Sequence, residues 1–293
     1  MDKNKAISSV LLVLISLAWA GSFIAVRLTY QEISPINLGF LRFFIATPIM
    51  GLILFLRKKK VRIPSKELLP LSILGLTGVT ILYILQFIGI SYTTASTSAV
   101  LINTNVIFIA ILSTIFLKEK FSLKKSAGVA ISFFGVIVVI FAQMSNENIT
   151  FSNTFLIGCI FVILSAACWA VYSIVGKRLL IKYDSFTVTT YAFALGTVFF
   201  LPIVFPEIID VIQNISFNGW MAVLYLGLIC SVFAYLAWFY VLSKNEVGSS
   251  AVFLNLIPLF AITLSFFVGE VLTALFLVGA TLIIYGVYLA QKN

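Results

Sequence analysis

Ten long apolar runs take up nearly the whole chain, at about residues 6–28, 36–56, 68–91, 94–117, 124–143, 154–176, 185–205, 217–242, 248–268 and 271–290. A helix needs about 20 apolar residues to cross the hydrocarbon core of a bilayer. Runs of this length, joined mostly by turns, therefore predict an all-α membrane protein with ten transmembrane helices. The breaks near 91–96 and 269–271 are marked by hardly any rise in polarity. Composition points the same way. The chain is 61% hydrophobic and only 10% charged, against roughly 25% charged for a soluble domain. Its surface calls for lipid, and little sequence is left over for a soluble catalytic domain.

The net charge of +9 does not argue for nucleic acid, because the basic residues sit in short turns between apolar runs. With the N-terminus inside, every lysine and arginine except Arg27 and Arg42 falls on the inner side. Such a bias sets orientation in the membrane, so both termini are expected in the cytoplasm of a multi-pass cell-membrane protein. Lys3, Lys5 and the Ala18-x-Ala20 pattern mimic a cleaved signal peptide. The apolar run behind them is long for one, however, and the same local sequence recurs in mid-chain. It reads as a retained first helix. Cys159, Cys168 and Cys230 lie inside apolar stretches, as buried thiols do. Without a single histidine, the commonest metal ligand and general base is missing, and no metal or cofactor is expected.

An internal repeat carries the next inference. A shift of 152 residues superimposes Gly75 on Gly227, Tyr83 on Tyr235, Phe87 on Phe239 and Asn103 on Asn255. A shift of 150 pairs Trp19-Ala20 with Trp169-Ala170 and Arg27 with Lys177; a shift of 151 pairs Glu119 with Glu270, Gly128 with Gly279 and Gly135 with Gly286. The chain reads as a duplicated five-helix unit, residues 6–143 and 154–290. Five is odd, so the second unit enters the membrane from the opposite side. Two inverted five-helix repeats are the architecture by which one central site is exposed to either side in turn, and this points to transport.

The paired Trp-Ala openings, Leu41-Arg42-Phe43 in the second helix and Gly269-Glu270 between the last two helices resemble the EamA family of the drug/metabolite transporter (DMT) superfamily. The resemblance covers roughly residues 8–290. The first half departs from it at Lys118, where the second has Gly269, and lacks a counterpart to Pro258. The family likeness implies a central cavity surrounded by helices one, three and four of each half. It also implies export or exchange of small metabolites such as amino acids.

Polar side chains are costly inside a bilayer and mark candidate sites. Asn103, Asn105 and Asn255 lie mid-helix, where their amides either meet a solute or bond across packed helices. Pro258 removes a backbone donor and is expected to kink the ninth helix beside Asn255. Tyr83 and Gln86 share one face of the third helix, as Tyr235 and Trp238 do on the eighth. With Trp19, Trp169 and Tyr172 they form either an aromatic lining, able to stack on planar or cationic groups, or core packing. Arg42, about six residues inside the outer end of its helix, is expected to snorkel to the headgroups, with a gating or solute contact as the alternative. Glu119 and Glu270 are expected at helix ends in a structural role.

The expected partners are a small-molecule solute and the lipid bilayer, and the sequence permits a homodimer. An amino-acid-like or aromatic solute fits best. A nucleotide-sugar or phosphate-ester antiporter would need clustered cations near the midplane. A membrane-embedded lipid-modifying enzyme would need a nucleophile–base pair or a metal set, for which the core carries no histidine and no clear carboxylate.

Overall fold

Helix starts in the two halves are built from the same device. The Ser34 hydroxyl accepts a hydrogen bond from the Asn37 backbone N–H (3.3 Å) just ahead of Pro35. At the matching place 150 residues on, the Asp184 carboxylate accepts from the Thr187 backbone N–H (3.1 Å) and hydroxyl (2.8 Å). Each satisfies a donor that the first helical turn leaves without a partner. Burial pushes the Asp184 carboxyl up, but the two Thr187 bonds, with Arg57 beside it, hold it below the usual carboxylate range overall.

The computed structural model describes residues 3–57, 63–117, 123–144, 153–204, 207–245, 247, 250, 252–270 and 272–291. Among them, seven helices are long and apolar enough to span a membrane: α1 (Ile7–Thr29), α2 (Pro35–Leu56), α3 (Ser65–Tyr92), α4 (Ala95–Phe116), α6 (Asn153–Leu179), α7 (Ser185–Val204) and α8 (Phe217–Lys244). Three shorter apolar helices complete the ten expected: α5 (Ser126–Ala142), α9 (Phe253–Val268) and α10 (Ala274–Leu289). A short helix, Ile208–Asn214, precedes α8. Leu14, Leu52, Phe133, Ile160, Val198 and Leu277 stay exposed around the bundle, a surface suited to acyl chains.

The second repeat runs opposite to the first. In the α5–α10 pair, Gly135 lies against Gly279 and Gly286 against Gly128. Repeat-mates therefore cross in opposite directions, and the approach is close. A Cβ on Gly286 would fall 2.5 Å from the Ser132 backbone nitrogen, which is why small residues line this seam. Residues related by a two-fold axis touch one another only where the axis passes. Trp19 and Trp169 meet with ring centroids 5.0 Å apart. The hydroxyls of Tyr83 and Tyr235 bond at 2.9 Å, those of Thr47 and Thr197 at 2.8 Å, and the Asn103 amide donates to Asn255 Oδ1 at 2.9 Å. A pseudo-two-fold axis thus runs through the middle of the bundle.

Among the described residues, four helices are irregular, again in matching places. The third and eighth contain π segments, Leu76–Thr80 and Tyr225–Phe233. A π turn leaves carbonyls out of register, and inside a membrane these need other donors. The Tyr235 hydroxyl bonds Gly78 O (2.8 Å), and Trp19 Nε1 bonds Cys230 O (3.0 Å). The fourth helix consists of Ala95–Ile102 and Asn105–Leu117, separated at Asn103-Thr104. The ninth has a 3-10 turn, Val252–Asn255, before Leu256–Ser265. Pro258 is the third residue of that last piece, in the first turn, where a missing N–H costs little. The helix restarts at Asn255, and the first repeat makes the same break at Asn103 with no proline.

Candidate functional site

A cavity lies against the axis in the centre of the bundle. Trp19, Ser22 and Phe23 of α1, Tyr83 and Gln86 of α3, and Asn105 of α4 form one wall. Trp169 of α6 joins them, its ring in edge contact with that of Trp19, and Ile102, Leu254 and Ile257 at the helix breaks add apolar surface. The volume is about 40 Å³, room for a few waters and well short of a metabolite pocket of roughly 300 Å³ or more. A solute of metabolite size would require the helices around it to part.

The aromatic residues predicted together do gather here, in two roles. Trp19, Tyr83 and Trp169 border the cavity along with Gln86 and Asn105. Tyr172, Tyr235 and Trp238 are fully buried behind it, with Tyr172 stacked on Trp169 (5.3 Å) and on Phe239 (4.9 Å). Gly78 makes room for this stack, since a Cβ there would fall 2.0 Å from the Tyr172 ring. Asn103 and Asn255 spend their main bond on each other, as interhelical contacts at the two helix breaks.

Several buried polar atoms find no partner among the described residues: the acceptors Asn103 Oδ1 and Asn105 Oδ1, and the donors Trp169 Nε1, Tyr172 OH and Trp238 Nε1. Unsatisfied groups of this kind are rare and costly in a low-dielectric core. Two of them, Asn105 Oδ1 and Trp169 Nε1, belong to residues on the cavity wall. A bound molecule that both donates and accepts would satisfy both.

Arg42 does not snorkel. It is fully buried, donating from Nη2 to Cys230 O (2.9 Å) and from Nε to the Ser231 hydroxyl, with its guanidinium carbon 4.2 Å from the centre of the Tyr83 ring. The π segment in α8 presents the acceptors that keep it inside. No periodicity in the sequence announces such a segment, and Ser22 was equally silent, being one of many small polar residues. The Arg42 position itself was visible as the one cation well within an apolar run.

A second cavity of about 420 Å³ opens at the Thr29 end of α1. It is bounded by Arg27, Tyr30 and Gln31, by Thr94 at the start of α4, and by Gly269 and Glu270 between α9 and α10. Glu270 accepts hydrogen bonds from the backbone N–H groups of Ala95 (2.8 Å) and Ser96 (3.1 Å). It caps the fourth helix, across the repeat boundary, and a carboxylate suits that partial positive charge. Glu119 lies outside the described residues. Arg27 bonds Ser91 O (3.4 Å) at the end of α3, and its repeat-mate Lys177 bonds Leu242 O (2.7 Å) and Asn245 O (3.0 Å) at the end of α8. Cations thus close the carbonyl ends of both helices.

Ten apolar helices in two inverted repeats around a central cavity, lined by aromatic and apolar side chains with Ser22, Gln86 and Asn105 among them, have the architecture of a membrane transporter. The profile of the EamA-like transporter family matches residues 6–141 and 156–291, and the chain belongs to that family, within the DMT superfamily. It is 38% identical over 287 residues to an uncharacterized transporter of Archaeoglobus fulgidus, covering 97% of this chain and 96% of that protein. It is 28% identical to the uncharacterized transporter YyaM of Bacillus subtilis, over 94% of this chain and 90% of that protein. A probable terminal-alkyne amino-acid exporter of Streptantibioticus cattleyicolor is 29% identical over 100% of this chain and 95% of its own length. A crystal structure with 17% identity superimposes with a TM-score of 0.69, over 97% of this chain and 95% of that one, and speaks for the fold alone.

Proposed function

We propose that the central cavity carries small amino-acid-like or aromatic solutes across the cell membrane by alternating access, in the direction of export. The observation that carries this is that an unsatisfied acceptor, Asn105 Oδ1, and an unsatisfied donor, Trp169 Nε1, both belong to residues lining one cavity rimmed by aromatic rings. An amino acid brings an ammonium donor and a carboxylate acceptor on one carbon, and its side chain finds ring faces to pack on. The cavity abuts the pseudo-two-fold axis, so rocking one repeat (residues 6–143) against the other (154–290) exposes it to either side. The likeness to a probable amino-acid exporter supports the solute class. The basic residues support cytoplasmic termini, which puts the Glu270 cavity outside.

The test is transport by purified protein in proteoliposomes. L-phenylalanine loaded inside should exchange with labelled L-phenylalanine outside, in the absence of any other energy source. A vesicle that carries no amino acid of any side-chain class, while the protein is folded and correctly inserted, would remove this reading.

A further inference from the structure

Two charged side chains are buried among the described residues, Glu67 and Arg42. Glu67 accepts a 2.8 Å bond from Lys182 at the end of the bundle. Arg42 has no ion pair to any described carboxylate. A carbonyl, a hydroxyl and the rings of Tyr83 and Phe43 surround it. Dipoles and ring faces solvate a cation but do not neutralise it, and the interior screens its field weakly. The ring that separates this charge from the cavity is Tyr83, which the guanidinium covers on one side and which lines the cavity wall. Among the described residues, no acidic side chain lines that cavity.

We propose that Arg42 sets the charge preference of the central cavity, making it favour solutes that bear a carboxylate and reject organic cations. The proposal rests on reading the central cavity as the solute site. A carboxylate placed near Tyr83 sits in the field of the guanidinium and receives a phenolic donor whose partner, Tyr235, already has Gly78 O as a second contact. An ammonium in the same place meets a like charge behind a ring whose attraction for cations is already engaged. Arg42 therefore acts through Tyr83, as a residue that determines specificity without lining the site.

The experiment titrates the purified full chain in nanodiscs with 3-phenylpropionate, L-phenylalanine and 2-phenylethylamine at one ionic strength, by calorimetry. Wild type should bind both carboxylates at least about tenfold tighter than the amine. Arg42→Met should lose that preference through weaker carboxylate binding. This variant strands no buried partner, because the Ser231 hydroxyl still donates to Leu226 O (2.9 Å) and Cys230 O still accepts from Trp19 Nε1. Arg42→Lys keeps the charge and should keep the preference. If Arg42→Met fails to fold, Tyr83→Phe, which retains the ring, should weaken carboxylate binding and leave the amine unchanged. A wild type that prefers the amine or shows no preference overturns the charge assignment and leaves the cavity standing, as does an Arg42→Met protein that still prefers carboxylates. A wild type that binds none of the three overturns both the cavity reading and this one.

Discussion

Ser22, Gln86 and Asn105 on one side of the pseudo-two-fold axis stand where Tyr172, Trp238 and Ile257 stand on the other, by the same shifts that align the repeats. The first set borders the cavity. In the second set, Tyr172 and Trp238 are fully buried, Tyr172 stacked on Trp169 and Phe239 and Trp238 tilted against Trp19 and Trp169. Duplication therefore supplied one backbone twice, with the same π segments, helix breaks and end caps, while side-chain volume decided where space remains. The polar functions of the site come from the first repeat. The second contributes packing and the single donor Trp169 Nε1. On the alternating-access reading, the two access states then present unequal linings to the solute.

The comparison breaks most visibly if the first repeat is given the side chain of the second. Gln86→Trp should fill the cavity and abolish solute binding, by more than about a hundredfold, while overpacking costs about 1–3 kcal/mol of stability. Calorimetry and proteoliposome exchange read the first effect, and a melting curve the second. Retained transport by a folded Gln86→Trp protein would place the solute elsewhere.

A smaller effect is expected on the axis itself. Asn255→Leu leaves the Asn103 amide without its acceptor and should lower stability by about 1–3 kcal/mol. Adding Asn103→Leu removes the stranded group, so the double variant should recover much of the loss. Equal and additive losses in the two single variants would mean that the amide pair is not coupled. This sharpens the sequence reading, in which both amides were candidates for solute contact.

The smallest effect belongs to the ends. Glu270→Gln weakens the cap on the fourth helix and should cost about 0.3–1 kcal/mol, with the pH dependence of exchange unchanged. A folded variant that loses pH-dependent flux would give Glu270 a part in coupling instead.

Much of the architecture was legible because the bilayer enforces it. Apolar length, basic asymmetry and collinear repeat pairs each constrain helix number and direction, and the structure contains ten apolar helices in inverted halves. Trp19, Tyr83, Gln86, Asn105 and Trp169 were legible as polar or aromatic side chains at mid-helix. Periodicity puts a residue on a face but does not say what fills the space beyond it, so Tyr172 and Trp238 could not be told from lining residues. The fate of Arg42 depends on Ser231, 189 positions away, and on a carbonyl turned out by a π segment.

Alternating access through the central cavity is tested most directly by labelling a cysteine at Ser22, in a background with Cys159, Cys168 and Cys230 replaced by serine. A small membrane-impermeant thiol reagent is applied to one face of oriented proteoliposomes and then, separately, to the other. Alternating access predicts reaction from both faces and protection from both by L-phenylalanine. Labelling from one face only, or labelling that the solute does not slow, would contradict it.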